Sequence, residues 1–204
     1  NVAGNVAQDV AGNNNVAATQ FTATYDTNSP TVVISSDIIN SATNNAFSTT
    51  FTFSEGVVGF ALADIITTNA NISNFASVST SVYTATVTPI SDGVVSIDVA
   101  GNVAQDAAGN SNTAASQFTT SYDATAPSVI ISSSLTNSTI NNAFTVTFTF
   151  SENVTGFAIG DISAVNAMLS NLVSSSASVY TATVTPTSDG VVTVDVAANV
   201  VQDT

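Results

Sequence analysis

Carboxylates are the side chains through which this chain could bind a metal ion or take part in a reaction. Its 204 residues include 14 Asp and Glu but no Lys, Arg, His or Cys, and its formal charge is −14. Without His, Cys or Lys there is no imidazole base, thiolate or Schiff-base amine, so we expect the protein not to be an enzyme. Binding to nucleic acid or to an anionic membrane requires positive side chains, and we expect neither.

Six of these carboxylates form two sets of three at matching positions. The sets are Asp26, Glu55 and Asp106, and Asp123, Glu152 and Asp203. Three carboxylates brought together without a positive side chain would repel by about 1 to 4 kcal/mol per close pair, depending on the local dielectric. A bound calcium ion would turn this repulsion into a net attraction, because it is doubly positive and binds about six to eight oxygen ligands. We therefore predict one Ca²⁺ site for each set, with Asn102, Gln105 and Asn110 as candidates to complete the coordination of the first.

The segments that must position these acids form a tandem repeat. Residues 2–9 recur as residues 99–106, and this spacing of 97 residues also relates the two sets of acids. At the same spacing, Phe51-Thr52-Phe53-Ser54-Glu55 returns as residues 148–152. A fixed period of this kind is the sequence signature of an array of similar domains.

The repeat predicts three segments in the chain. Residues 1–25 match residues 98–122 and are expected to be the C-terminal strand and loop of a preceding repeat. Residues 26–122 are expected to be a complete repeat, and residues 123–204 a repeat that lacks its last strand. That strand could follow in the continuing chain, or another subunit could donate it.

Within a repeat the apolar residues alternate, which is the period of a β-strand. We predict strands at residues 31–36, 47–53, 57–60, 72–75, 82–87, 94–99 and 118–122. A short helical turn is expected at Ala61–Ile65, and a hairpin at residues 89–93. About seven strands in about 97 residues predict an all-β fold of tandem immunoglobulin-like sandwiches, built from antiparallel strands with Greek-key connections.

Several motifs follow one another in a fixed order along the chain. They are Phe-Thr-Phe-Ser-Glu, Val-x-Gly-Phe-Ala-x-x-Asp-Ile, Val-Thr-Pro-x-x-Asp-Gly and Asp-x-Ala-Gly-Asn. In this order they resemble the bacterial immunoglobulin-like repeats of giant secreted surface proteins. Members of that family build the stalks of adhesins, biofilm proteins and gliding-motility filaments. The resemblance therefore implies an extracellular location, at the cell surface or in a secreted filament, and many such repeats stiffen their linkers with calcium.

The predicted sandwich explains why the three acids of a set should meet. In such a fold the chain enters at the end that carries the loops after the second and sixth strands. Asp26 lies at the entry, Glu55 ends the Phe-rich strand and Asp106 lies in the long loop. We expect calcium at each junction between repeats, and hence a stiff stalk whose partners are its neighbouring repeats and other fibre subunits.

Simpler roles for the acids stay open. Asp106 could cap its own turn, Asp26 could start a linker turn, and Glu55 could be solvated at a strand end. Six of the acids outside the two sets are expected to serve hairpin turns, outward strand faces and backbone capping. These are Asp92 and Asp189, Asp98 and Asp195, and Asp64 and Asp161, respectively.

Two other functions remain as alternatives. The Ser/Thr/Asn-rich faces could form a binding module for a glycan, an ice surface or another fibre. A carboxylate-pair hydrolase on a sandwich scaffold is the least favoured, because the chain has no Trp or Arg with which to line a sugar cleft.

Overall fold

The prediction of an all-β fold is confirmed by a computed structural model, which describes residues 1–38, 42–135 and 139–203. Almost all regular structure in these residues is β-strand, apart from short 3₁₀ turns at Leu62–Asp64 and Ile159–Asp161. The chain divides into two units, Asn1–Ala124 and a second that begins at Thr125. In the described residues no helix has the length and the apolar character needed to cross a membrane.

The first unit contains two four-stranded sheets. Its strands are β1 (Val32–Ser36), β2 (Ala42–Thr43), β3 (Phe47–Phe53), β4 (Ile65–Thr68), β5 (Ala70–Ser77), β6 (Val82–Pro89), β7 (Gly93–Val99) and β8 (Phe118–Tyr122). The orders are β1-β3-β6-β5 and β2-β8-β7-β4, and every pairing is antiparallel except that of β2 with β8. This arrangement is the sandwich of an immunoglobulin-like domain.

Alternation along the strands builds the core of the first unit. On β3, Phe47, Thr49, Phe51 and Phe53 are buried, while the residues between them are exposed or half-buried. The inward residues of β6 and β7 complete the same cluster from the two sheets. Burial of apolar side chains, worth about 1.5 to 3 kcal/mol each, therefore holds the sheets face to face.

The second unit repeats the first sheet and part of the second. Its strands are β9 (Val129–Ser133), β10 (Phe144–Phe150), β11 (Val154–Thr155), β12 (Ile162–Val165), β13 (Ala167–Ser174), β14 (Val179–Pro186), β15 (Thr193–Val196) and β16 (Gln202–Asp203). A four-stranded sheet has the order β9-β10-β14-β13, and β12 with β15 and β11 with β16 form two-stranded sheets.

The predicted hairpin at residues 89–93 is wrong. Strands β6 and β7 lie in different sheets, so the segment between Pro89 and Gly93 crosses from one sheet to the other. The buried residues of β6 and β7 face each other across the core, which a hairpin within one sheet would prevent. Asn69, with φ of 58°, fixes this crossing because its side chain accepts from the backbone N–H of Ser91 and donates to the carbonyl of Ser91.

The predicted strand at residues 57–60 is also wrong. Val57 and Phe60 are buried, but only an isolated bridge between Val58 and Gln105 occurs there. Gly59, at φ of 93°, interrupts the extended backbone. The prediction also missed β4, which follows directly after the 3₁₀ turn at Leu62–Asp64.

Candidate metal centre

Glu55 lies just beyond the end of β3 in a loop that is fixed on both sides. Before it, Ser54 donates its N–H to Thr31 O at 2.9 Å, and the Ser54 hydroxyl accepts from Thr31 N at 3.0 Å. After it, Val57 O accepts from the Tyr83 hydroxyl at 3.3 Å. The Tyr83 ring packs edge-on against Phe53, with ring centroids 5.9 Å apart. The aromatic core therefore holds the position of Glu55.

The long loop between β7 and β8 positions Asp106 through the buried side chain of Asn112. The Asn112 Oδ1 accepts from the backbone N–H groups of Val103 and Ala104 at 2.9 and 2.8 Å. Its Nδ2 donates to the carbonyls of Ala100 and Thr113 at 3.0 and 2.8 Å. One amide that is only 3 % exposed thus satisfies four backbone groups of this loop.

Asp106 is itself buried, at 4 % exposure, and its carboxylate is hydrogen-bonded within the loop. Its Oδ1 accepts from the N–H groups of Ala108 and Asn110, both at 2.8 Å, and its Oδ2 accepts from Asn110 Nδ2 at 2.8 Å. The hydrogen bond from the Asn110 side chain lowers the pKa of Asp106 below its ordinary value, helped by the backbone N–H groups. The capping role predicted as a simpler alternative is therefore present.

Asp26 reaches the same loop from the segment that enters the repeat. Its backbone carbonyl accepts from Asn110 Nδ2 at 3.2 Å, and its Oδ1 accepts from Asn28 N at 2.9 Å. Further along, Pro30 O accepts from Thr113 N at 2.9 Å. The entry segment and the long loop are thus tied together on both sides of the cluster.

The structure brings the first set of acids together. Asp26, Glu55 and Asp106 each place one carboxylate oxygen within 4.8 Å of the other two. Glu55 is half-buried, and its pKa is raised by burial and then by the negative charges of Asp106 and Asp26. Since the chain has no positive side chain, this charge has no salt-bridge partner in the polypeptide. The cluster offers only hard oxygen donors, which suit calcium.

The second set is brought together in part. Within the second unit, Glu152 and Asp203 have carboxylate oxygens within 4.8 Å of each other. Asp203 is placed by β16, where it pairs with Val154 of β11. Asp123 belongs to the first unit, which ends at Ala124, so its membership of this cluster stays a prediction.

The amides suggested as further ligands have other contacts. Asn110 directs its Nδ2 at Asp106 and at Asp26, so it braces the acids as a donor. The backbone carbonyl of Gln105 accepts from Val58 N, and Asn102, with φ of 65°, lies at a tight turn.

Residues 1–25 contain the same loop without the other two acids. Asn15 makes the four bonds that Asn112 makes, to Val6, Ala7, Ala3 and Val16. Asp9 accepts from Ala11 and Asn13 as Asp106 does from Ala108 and Asn110, and the Asn13 side chain lowers its pKa. The loop therefore forms from its own sequence, and the cluster arises only where Glu55 and Asp26 are added. Sequence reasoning missed Asn112, although its recurrence as Asn15 was a usable signal.

Four of the other acids have local hydrogen bonds. As predicted, Asp64 and Asp161 cap the 3₁₀ turns by accepting from the N–H groups of Ala61 and Ala158 at 2.8 and 2.7 Å. Asp98 accepts from Gln117 Nε2 at 2.6 Å. Asp92, which was expected to serve a hairpin, accepts instead from Ala124 N at 2.8 Å.

The fold defines a protein made of tandem immunoglobulin-like sandwiches, each with acids at the end where its chain enters. The sequence profile of the bacterial Ig-like domain matches residues 26–122 and 123–204, and the chain belongs to that family. This confirms the resemblance of the motifs to bacterial immunoglobulin-like repeats. The comparison with curated proteins finds no matching sequence.

Two solved structures are similar to this chain at low identity. The crystal structure of invasin, described as a bacterial integrin-binding protein, is 16 % identical with a TM-score of 0.40; the match covers 80 % of this chain and 36 % of that one. The structure of InvD from Yersinia pseudotuberculosis is 18 % identical with a TM-score of 0.36 and coverages of 84 % and 53 %. The chain thus spans about a third and about half of these two proteins.

Proposed function

We propose that this chain is a structural repeat segment of an extracellular surface stalk or filament, extending and stiffening a bacterial adhesin-like protein. In this proposal a calcium ion at the acid cluster of each repeat restrains the junction to its neighbour. The observation that carries it is the approach of Asp26, Glu55 and Asp106 to within 4.8 Å in a chain with no positive side chain. The family membership of both repeats supports the stalk.

The residues present fit the ion. Carboxylate and carbonyl oxygens are the ligands that calcium prefers, and the ion would supply only positive charge and a fixed geometry. Asp26 lies on the segment entering the repeat, Glu55 follows β3 and Asp106 lies in the loop before β8. A cation shared by the three would join the entry segment to the body of its repeat, which restrains a linker without any disulfide.

We extend the proposal to the second repeat by equivalence. Asp123, Glu152 and Asp203 stand 97 residues after Asp26, Glu55 and Asp106. Glu152 and Asp203 already approach one another, and Asp123 directly follows the last strand of the first repeat. On this proposal residues 26–122 and 123–204 each carry one calcium ion at their entry.

Calcium should raise the temperature at which the chain unfolds. A ligand that binds only the folded state stabilises it by about 2.7 kcal/mol at a hundredfold excess over its Kd. The experiment is differential scanning calorimetry of the full chain in excess EDTA and in excess Ca²⁺, with Mg²⁺ as the comparison ion. In parallel, small-angle X-ray scattering in the same buffers is expected to show a narrower range of conformations with calcium.

Two outcomes would count against this function. An unfolding temperature that is the same in EDTA and in calcium would show that the folded chain binds no structural calcium ion. A clear rise in that temperature with unchanged scattering would support binding of the ion but show that the ion does not stiffen the junction between repeats.

A further inference from the structure

The two residues that follow β8 are held by the body of the first unit. Asp123 donates its backbone N–H to the Thr43 carbonyl at 3.1 Å. The next residue, Ala124, donates its N–H to the Asp92 Oδ1 at 2.8 Å. Both residues belong to the segment that leads from the first repeat to the second. The backbone of this linker is therefore tied to the first unit by two consecutive hydrogen bonds.

The loop that carries Asp92 is fixed on both sides. After it, Gly93 pairs with Tyr122 at the end of the ladder between β7 and β8. Before it, Asn69 holds the backbone of Ser91, and the Ser91 hydroxyl also donates to the Asn69 Oδ1 at 2.9 Å. The Asp92 carboxylate therefore stands on a restrained backbone beside the end of β8, where the linker begins.

The second unit builds the same loop from the equivalent residues. Asn166 has a φ of 57°, close to the 58° of Asn69. Its Nδ2 donates to the Ser188 carbonyl at 2.9 Å, and its Oδ1 accepts from the Ser188 hydroxyl at 2.6 Å. Asp189 then occupies the position of Asp92, 97 residues later. The loop and its acid are therefore a feature of the repeat.

We propose that Asp92 is a positioning residue of the junction: by holding the N–H of Ala124, it restrains the linker and keeps Asp123 ready for the calcium ion of the second repeat. This inference rests on the proposed function, because Asp123 is a calcium ligand only there. Asp92 acts through the oxygen that accepts from Ala124, and its charge is not required. A ligand held in place before the ion arrives binds it more tightly, because less ordering remains to be done on binding.

Two substitutions separate the hydrogen bond from the charge. D92A and D92N both remove the negative charge, but only D92N keeps a side-chain oxygen that can accept from Ala124 N. Asp92 is exposed, so neither substitution changes the core. The matched control is D189A, which removes the equivalent exposed carboxylate from the equivalent loop of the second unit.

Amide hydrogen exchange of the full chain, followed by NMR in EDTA, tests the restraint without calcium. The N–H of Ala124 is expected to exchange about tenfold faster in D92A than in the natural chain, because a hydrogen bond to a charged acceptor is lost. In D92N and D189A its exchange rate is expected to stay close to that of the natural chain. Equal exchange of Ala124 in D92A and in the natural chain would overturn the proposal.

Calcium titration by isothermal calorimetry tests the coupling to the second site. The natural chain is expected to bind one ion per repeat, and E152Q identifies the ion of the second repeat by its loss. D92A is expected to weaken that ion about tenfold and to leave the first unchanged, while D92N and D189A bind both as the natural chain does.

The outcomes keep this inference apart from the proposed function. Calcium binding that is weakened equally in D92N and D92A would show that Asp92 acts by its charge, and would overturn its positioning role. A natural chain that binds no calcium would refute the proposed function and with it the coupling. In that case the exchange of Ala124 in EDTA still decides whether Asp92 holds the linker.

Discussion

At the scale of single residues, the candidate site is a balance between repulsion and local hydrogen bonding. Asp106 is stabilised as an anion by the Asn110 side chain and by backbone N–H groups, which lowers its pKa. Glu55 has no such donors among its pKa determinants and is instead disfavoured as an anion by burial and by its two acidic neighbours. Glu55 is therefore the residue whose charge most needs a bound cation.

Replacing Glu55 by Gln separates the repulsion between the acids from their binding of calcium. In EDTA, E55Q is expected to unfold at the same temperature as the natural chain or higher, because the repulsion with Asp106 and Asp26 is removed. Isothermal titration calorimetry is expected to show one fewer calcium ion bound per chain, because an amide oxygen is a poorer ligand than a carboxylate.

The control for this substitution is D98N, which removes a carboxylate outside the cluster. It is expected to leave the number of calcium ions unchanged. Undiminished calcium binding by E55Q would show that Glu55 is not a ligand.

At the scale of elements, the loop between β7 and β8 depends on one buried amide. The Asn112 side chain forms hydrogen bonds with four backbone groups of this loop. Its loss would leave the buried N–H of Ala104 and three partly buried backbone groups without this partner, which costs more than the loss of an exposed hydrogen bond. The position of Asp106 in the cluster follows from this loop.

The substitution N112A is expected to lower the free energy of unfolding by about 3 kcal/mol, as the sum of lost hydrogen bonds and unsatisfied groups. Urea denaturation followed by tyrosine fluorescence measures this change. N15A removes the same four bonds from the exposed loop of residues 1–25, and is expected to cost under about 1 kcal/mol. Equal effects of the two substitutions would contradict a special role for burial of Asn112.

At the scale of the whole molecule, the charge of −14 makes stability depend on pH in two opposite ways. Glu55 has a raised pKa when folded, so the folded state takes up a proton before the unfolded state does, and stability rises as the pH falls through that pKa. Asp106 has a lowered pKa in the folded state. Its carboxylate therefore contributes fully to the free energy of unfolding above its ordinary pKa, and this contribution is lost as the pH falls through the pKa of the folded state.

Without calcium, the unfolding temperature is therefore expected to rise as the pH falls through the raised pKa of Glu55, and to fall again at lower pH as the carboxylate of Asp106 is protonated. The stabilisation by calcium should shrink as the pH falls through the raised pKa of Glu55, because a protonated carboxyl group no longer binds the ion. Calorimetry at several pH values, with EDTA and with calcium, measures both trends. A calcium effect that is constant from about pH 7 to about pH 4 would contradict carboxylate ligation.

The sequence alone determined the repeat, the strands with alternating residues and the approach of Asp26, Glu55 and Asp106. These follow from local periodicity and from the order of strands in a sandwich, which the printed residues already contain. Tertiary structure decided that residues 89–93 cross between sheets, because which sheet a strand joins depends on what its inward face packs against. It also decided that Asn112 and Asn110 brace the acids, because the hydrogen-bond partners of an Asn side chain are set by the folded backbone around it and cannot be read from the sequence.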